Sequence, residues 1–302
     1  MLRYKNPLLN GAAVPDSRAG EEPGEVFQKT VGGRQGLYTN RGSARTNNFQ
    51  RDAGMLSEYV FVDAGQTLLA TGVTAPSIQT RTPVRASDLA FAEYCVSDDT
   101  DQPVLCKVNA YGNVGMTIVD PLAAHAMTWV VLGLGRQETF AVFAAGTFAS
   151  VGSDAVEDIA VAGAIVGDIC FVQVQTKGAV ARTIAKAIVV AGSITVTLSA
   201  DPSTDHVLNY VVLRPVGTFR PSHYVVAAGS YSVVTADAAA MAIAVSGART
   251  TDIPFSSISK TNDTDVIVST KVTASNVLTI TNSADPDVDG THIFDYFLLR
   301  AL

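Results

Sequence analysis

The sequence predicts an all-β protein in which an extended N-terminal arm precedes three tandem small antiparallel β-sandwich or barrel domains. Three observations carry that prediction. The first is composition: 302 residues, 47% of them hydrophobic and only 16% charged, are too apolar for a disordered chain and long enough for several small cores. The second is an internal repeat of about 80 residues. The third is the prevalence of short β-branched or aromatic runs bounded by turn residues, the pattern of half-buried strands.

The arm is residues 1–55. It holds eight basic and five acidic residues, a formal +3, whereas the remaining chain holds 13 basic and 23 acidic residues. Rich in Gly, Asn, Pro and Ser, it shows neither apolar period over a useful length, so it is expected to lie extended across a partner rather than to form a core. Leu2, Tyr4, Leu8 and Leu9 would serve as apolar anchors. Arg3, Lys5, Arg34, Arg41, Arg45 and Arg51 would pair with carboxylates on that partner.

The repeats occupy 56–136, 137–219 and 220–302, and their endings define them best. Asp120-Pro leads to His125, Trp129 and Leu132; Asp201-Pro leads to His206, Tyr210 and Leu213 with the same gaps. Asp285-Pro leads to His292, Tyr296 and Leu299 after a two-residue insertion. Upstream, YVFVDAG, FAVFAAG and YVVAAG end in Gly65, Gly146 and Gly229. Asp88-Leu89, Asp168-Ile169 and Asp252-Ile253 also fall in register.

Within the units, SITVTLS from Ser193, NVLTITNS from Asn276 and HVLNYVVLR from His206 alternate as strands. Ala-Gly-Ser at 191–193 and Ala-Ser-Asn at 274–276 are suited to hairpin turns. The alanine-rich AAHAMTWVVLGL resembles a helix when read alone, but its repeat partners make it a strand. DAVEDIAVAGAIVG and ADAAAMAIAV fit either a strand or one short helix per unit.

No catalytic constellation is found. G-x-S-x-G, P-loop and H-E-x-x-H motifs are absent, and Gly133-Leu134-Gly135-Arg136 lacks the third glycine of a dinucleotide loop. Asp and His recur together in all three units, which suits a repeated turn better than an acid–base or metal-ligand pair, since one active site needs one copy. Asp285, Asp287, Asp289 and Gly290 match the first half of a calcium loop, but Tyr296 stands where the bidentate Glu belongs. The segment reads first as an acidic hairpin tip, with a weak metal site as the alternative. Trp129, aligned with two tyrosines, is expected in a core. Cys95, Cys106 and Cys170 are too few for a disulfide framework and read as buried thiols, with a Cys95–Cys106 bridge as the alternative. The −7 net charge argues against nucleic acid as partner, and no apolar run is long enough for a membrane helix. No cofactor is expected.

Phrases such as SADPSTDHVLNYVVLR, in tandem apolar units rich in Ala, Val, Thr and Gly, resemble structural proteins of tailed-bacteriophage virions. The resemblance covers residues 137–302 well and 56–136 loosely. An arm followed by compact β units is similar to capsid decoration, or cement, proteins. That implies a non-enzymatic component of the virion, made in the host cytoplasm, whose partners are the major capsid protein or other virion proteins. The alternatives are a homotrimeric head or tail fibre that binds a receptor, and a carbohydrate-active enzyme or soluble binding protein. Whether the three units close around an axis or string out like beads is left open by the sequence.

Overall fold

The computed structural model describes residues 26–31, 34–39 and 59–302, apart from short segments at 97–102, 111–112, 119–124, 151–153, 181, 218, 234–238, 261–265 and 284–291. Up to residue 39 and at 95–96, 103–104, 110, 125 and 260 the backbone alone is described. The chain divides into Met1–Leu56 and Ser57–Leu302.

In the first unit, β1 (Val26–Val31) pairs antiparallel with β2 (Arg34–Thr39), with Val26 opposite Thr39 and Val31 opposite Arg34. The stretch read as an extended arm thus contains a hairpin. Gly32-Gly33 lies between its strands in the sequence, a dipeptide suited to the two-residue turns that need positive φ. Of the arm residues singled out above, Arg34 opens β2; Leu2, Arg3, Tyr4, Lys5, Leu8, Leu9, Arg41, Arg45 and Arg51 lie outside the described residues.

The second unit is all-β, with no helix among the described residues. One arrangement of six strands occurs three times. The first set is β3 (Tyr59–Leu69), β4 (Ser77–Gln79), β5 (Leu89–Val96), β6 (Pro103–Ala110), β7 (Asn113–Ile118) and β8 (His125–Leu134). The second is β9 (Phe140–Ala149), β10 (Val156–Ala160), β11 (Ile169–Thr176), β12 (Ile184–Val190), β13 (Ser193–Leu198) and β14 (Val207–Pro215). The third is β15 (His223–Ser232), β16 (Ala240–Ala244), β17 (Ile253–Lys260), β18 (Ile267–Ala274), β19 (Val277–Asn282) and β20 (Ile293–Ala301). The alanine-rich segments that fitted either state supply β10 and β16, and AAHAMTWVVLGL supplies β8. Burial decides these cases. In β16, Met241 and Ile243 point into the core while the alanines between them face out, a period of two that only a strand can satisfy.

Each set folds into a two-layer sandwich. The inner sheets have the strand orders β5-β8-β3, β11-β14-β9 and β17-β20-β15; the outer sheets are β4-β7-β6, β10-β13-β12 and β16-β19-β18. Between the layers of each sandwich lies a separate apolar cluster, centred on Met127 and Trp129, on Val172 and Leu208, and on Leu278 and Leu298. The other face of all three inner sheets packs into one common core. There Phe61, Phe91 and Leu132 meet Phe171 and Leu213 and also Phe255, Phe297 and Leu299. Phe297 stacks on Phe255 with centroids 5.0 Å apart and takes Phe61 and Phe91 edge-on. Burial on both faces explains the continuous apolar runs of β8, β14 and β20, where a one-sided strand would alternate.

The three sandwiches close in a ring. Single pairings, Phe61 with Phe140 and Val142 with His223, join the starts of β3, β9 and β15. Strand β5 lies against β12, β11 against β18, and β17 against β6, so each inner edge strand is covered by the outer sheet of the next sandwich. The open question left by the sequence is thereby answered: the body is a pseudo-threefold ring built by one chain.

Candidate functional site

Three sets of equivalent residues recur in the three sandwiches: two act within each sandwich, and the third, which links one sandwich to the next, borders a cleft. The first set explains the recurring glycines. Gly65 sits opposite Trp129, Gly146 opposite Tyr210 and Gly229 opposite Tyr296. A Cβ added to these glycines would lie 2.7 Å from the Trp129 ring, 2.7 Å from the Tyr210 hydroxyl and 3.0 Å from the Tyr296 hydroxyl. Each aromatic ring lies across its glycine, a cross-strand pairing that covers bare backbone. Trp129 is buried and its indole N–H donates to Thr67 Oγ1 at 3.2 Å, so it is a core residue, as expected.

The second set is an ion-pair fork at the start of each inner edge strand. Arg214 donates to Asp168 through Nε and Nη2, both at 2.7 Å, and Arg300 grips Asp252 in the same way. The Asp also accepts the backbone N–H three residues before it, from Ile165 or Arg249, while the Arg reaches a turn carbonyl, Gly163 or Gly247. In the first sandwich Gly133 occupies the position aligned with these arginines. Arg136 reaches back from beyond the strand to Asp88 at 3.1 Å and to the Pro83 carbonyl. Hydrogen bonding to the carboxylates holds the Arg214 and Arg300 guanidinium groups above their ordinary pKa.

The third set is a polar ring closing one end of the common core. Glu93, Gln173 and Ser257 take equivalent places on β5, β11 and β17, paired across the sheet with Thr128, Asn209 and Asp295. Each of the three reaches the edge strand of the next sandwich. The Val172 N–H donates to both Glu93 carboxylate oxygens at 2.7 and 2.8 Å. The Ser256 N–H donates to Gln173 Oε1 at 2.9 Å, while Gln173 Nε2 donates to the Ser256 carbonyl. Ser257 Oγ donates to the Ala90 carbonyl at 2.9 Å, which completes the circuit. Backbone groups of edge strands, which no further strand pairs, are satisfied by side chains in this way. Burial pushes the Glu93 carboxyl well above the usual carboxylate range, and the Val172 N–H only partly offsets that. Burial likewise raises Asp295 to about 6, against the opposing hydrogen bonds from the Ser230 and Ser259 hydroxyls.

Beside the ring a small, partly open cleft is lined by all three sandwiches, including Glu93, Gln173, Ser256, Cys106 and Arg182. Among the described residues the cleft offers acceptors and donors, but no nucleophile is paired with a base. The buried Cys106 carries a free thiol whose pKa burial drives upward, the reverse of an activated cysteine. That free thiol also removes the Cys95–Cys106 bridge. Cys170 is buried as well. No group of three or more His, Cys, Asp or Glu side chains able to hold a metal occurs among the described residues.

The recurring Asp and His residues are placed as follows. His206 and His292 are buried at the head of β14 and β20, and their backbone carbonyls accept the Ser150 and Val233 N–H at 2.9 and 3.0 Å. His206 Nε2 stands 4.0 Å from Glu157, which also accepts a hydrogen bond from Ser150 Oγ. His125 opens β8. Asp201 is exposed; its Oδ1 accepts the Ser203 N–H at 2.6 Å, a turn-forming role. Asp120, Asp285, Asp287 and Asp289 lie outside the described residues, and with them the calcium-loop alternative. Missing from the sequence reading are Glu93, Gln173, Ser257 and the arginine partners of the aligned aspartates. The first three share no residue type, so alignment of the repeats gives them no signal, whereas Arg214 and Arg300 do align.

Comparison with protein-family models, with curated proteins and with solved structures gives no match.

Proposed function

We propose that this protein is a non-enzymatic virion component that decorates the outer surface of an assembled capsid and staples neighbouring capsid subunits through its N-terminal segment. The observation that carries the reading is the closed pseudo-threefold body: one chain presents three similar sandwiches around an axis, the geometry suited to a threefold position on a lattice. The interior of that body is devoted to packing and to closing the ring. A component of this kind stabilises the assembled shell because it binds that state and not the dissociated subunits.

The homotrimeric fibre is the less favoured reading. A chain that satisfies its threefold core internally gains nothing in that core from two further copies, so the free protein is expected to sediment as a monomer. The direct test is deletion of residues 1–55. The remaining body should keep its thermal transition and lose binding to purified shells; retained binding would remove the stapling role from the N-terminal segment.

A further inference from the structure

In each inner sheet the first strand begins, the last strand ends and the edge strand begins at the same end: Tyr59 pairs with Leu134, Phe140 with Pro215 and His223 with Ala301. The pairings between Phe61 and Phe140 and between Val142 and His223 bring these three ends together on one face of the body. The three forks, Asp88 with Arg136, Asp168 with Arg214 and Asp252 with Arg300, sit at this end and cancel their own charges.

What remains exposed there is basic and aliphatic. The turn position three residues before each fork aspartate presents Arg85, Ile165 and Arg249 in the three sandwiches, all exposed. Arg81 and Arg220 add two more exposed cations, against the single exposed carboxylate side chain of Glu138 among the described residues at this end. Leu134, Val216 and Leu302, at or just past the ends of the three last strands, are 48%, 44% and 59% exposed, and Val166 beside Ile165 is 77% exposed. The opposite end carries exposed Asp154, Asp201 and Asp205 together with exposed Lys177 and Lys271. Among the described residues this end is thus predominantly basic, although the body after position 55 has 23 acidic and 13 basic residues, and the opposite end presents both signs.

We infer that this end is a docking face for an acidic, partly apolar protein surface. Charge complementarity selects an acidic partner, and aliphatic side chains interspersed with arginines match the composition of protein interfaces, where Arg is enriched and Lys depleted. A nucleic-acid face would call for a denser cationic stripe and little exposed aliphatic surface. The inference rests on the proposed virion role, which supplies the partner.

The test is arginine and carboxylate footprinting of the full chain, free and within particles purified from its host. Phenylglyoxal reports Arg85, Arg220 and Arg249; carbodiimide with glycine ethyl ester reports Asp154 and Asp201. The expected result is that the three arginines lose at least about fivefold in reactivity on assembly while the two aspartates do not. Protection of the aspartates with the arginines still reactive would overturn the inference. Arginine protection in particles where the chain sits on the tail would uphold the docking face and overturn the capsid reading. Absence of the chain from every particle would overturn both. In a second arm, the exposed pair Arg85→Glu and Arg249→Glu should weaken binding to particles at least about tenfold with an unchanged thermal transition, and unchanged binding would count against the face.

Discussion

The two ends of the common core are built by opposite rules. Toward the starts of β3, β9 and β15 the three sandwiches contribute near-interchangeable residues: Leu89, Ile169 and Ile253 at one level, Phe91, Phe171 and Phe255 at the next. At the following level the same strand position holds Glu93, Gln173 and Ser257, three side chains of different length and charge. Apolar packing tolerates repetition, because three phenylalanines around an axis attract. Three glutamates there would repel one another in a dry site, so a homotrimer would face a conflict that a single chain escapes by letting each copy diverge. Covalent linkage of the copies thus permits an asymmetric polar lock on a symmetric core.

That contrast can be broken most severely at its apolar end. Phe297→Ala removes the ring that touches Phe61, Phe91 and Phe255 and should cost about 3–5 kcal/mol. The single tryptophan, Trp129, lies in the first sandwich and Phe297 in the third. Trp129 fluorescence should therefore report the loss as a lowered melting temperature; an unmoved Trp129 transition would mean the sandwiches unfold independently.

At the polar end the sign reverses. Because burial raises Asp295 from 3.8 to about 6, the folded state holds its proton more tightly than the unfolded chain does. Its contribution is fully favourable below the unfolded value and is lost as pH rises through about 6, a swing of about 3 kcal/mol. Asp295→Asn should flatten that part of the pH dependence and stabilise the protein at pH 7 to 8, read from urea midpoints at pH 4, 6 and 8. A variant as pH-dependent as the parent would show that Asp295 is not the group responsible.

Glu93 separates charge from hydrogen bonding. Glu93→Ala leaves the buried Val172 N–H without its acceptor and should cost about 1–3 kcal/mol. Glu93→Gln keeps an acceptor and removes a costly buried carboxyl, so its urea midpoint at pH 7 should equal or exceed the parent's. Comparable or smaller effects are expected at the ring–glycine pairs. Gly65→Ala drives a methyl into the buried Trp129 ring and should cost about 1–3 kcal/mol, whereas Gly229→Ala meets only the hydroxyl end of Tyr296 and should cost less. Equal thermal shifts in the two variants would contradict this ranking.

The contrast between the two ends also marks where the sequence was readable. The all-β class could be read because the repeats arbitrate one another: HVLNYVVLR rescued the alanine-rich AAHAMTWVVLGL from a helical reading. The recurring glycines and aromatics could be found by alignment, though their contact could not, since nothing in a single strand shows which residue lies opposite. The forks were half visible. Asp88, Asp168 and Asp252 align, but the first arginine had moved to Arg136, which broke the pattern in one copy. Glu93, Gln173 and Ser257 were invisible because their role depends on strands from different sandwiches meeting at an axis. The ring itself left a trace only in the two-sided burial of β14 and β20, an apolar run that a parallel sheet or a large sandwich would also produce.

The central claim, a single-chain trimer-like body seated on a symmetric shell, is tested most directly by the copy number of this chain per purified particle. Quantitative mass spectrometry against the most abundant shell protein should give a simple lattice fraction, such as one chain for every three shell subunits. A handful of copies per particle, or none, would contradict it.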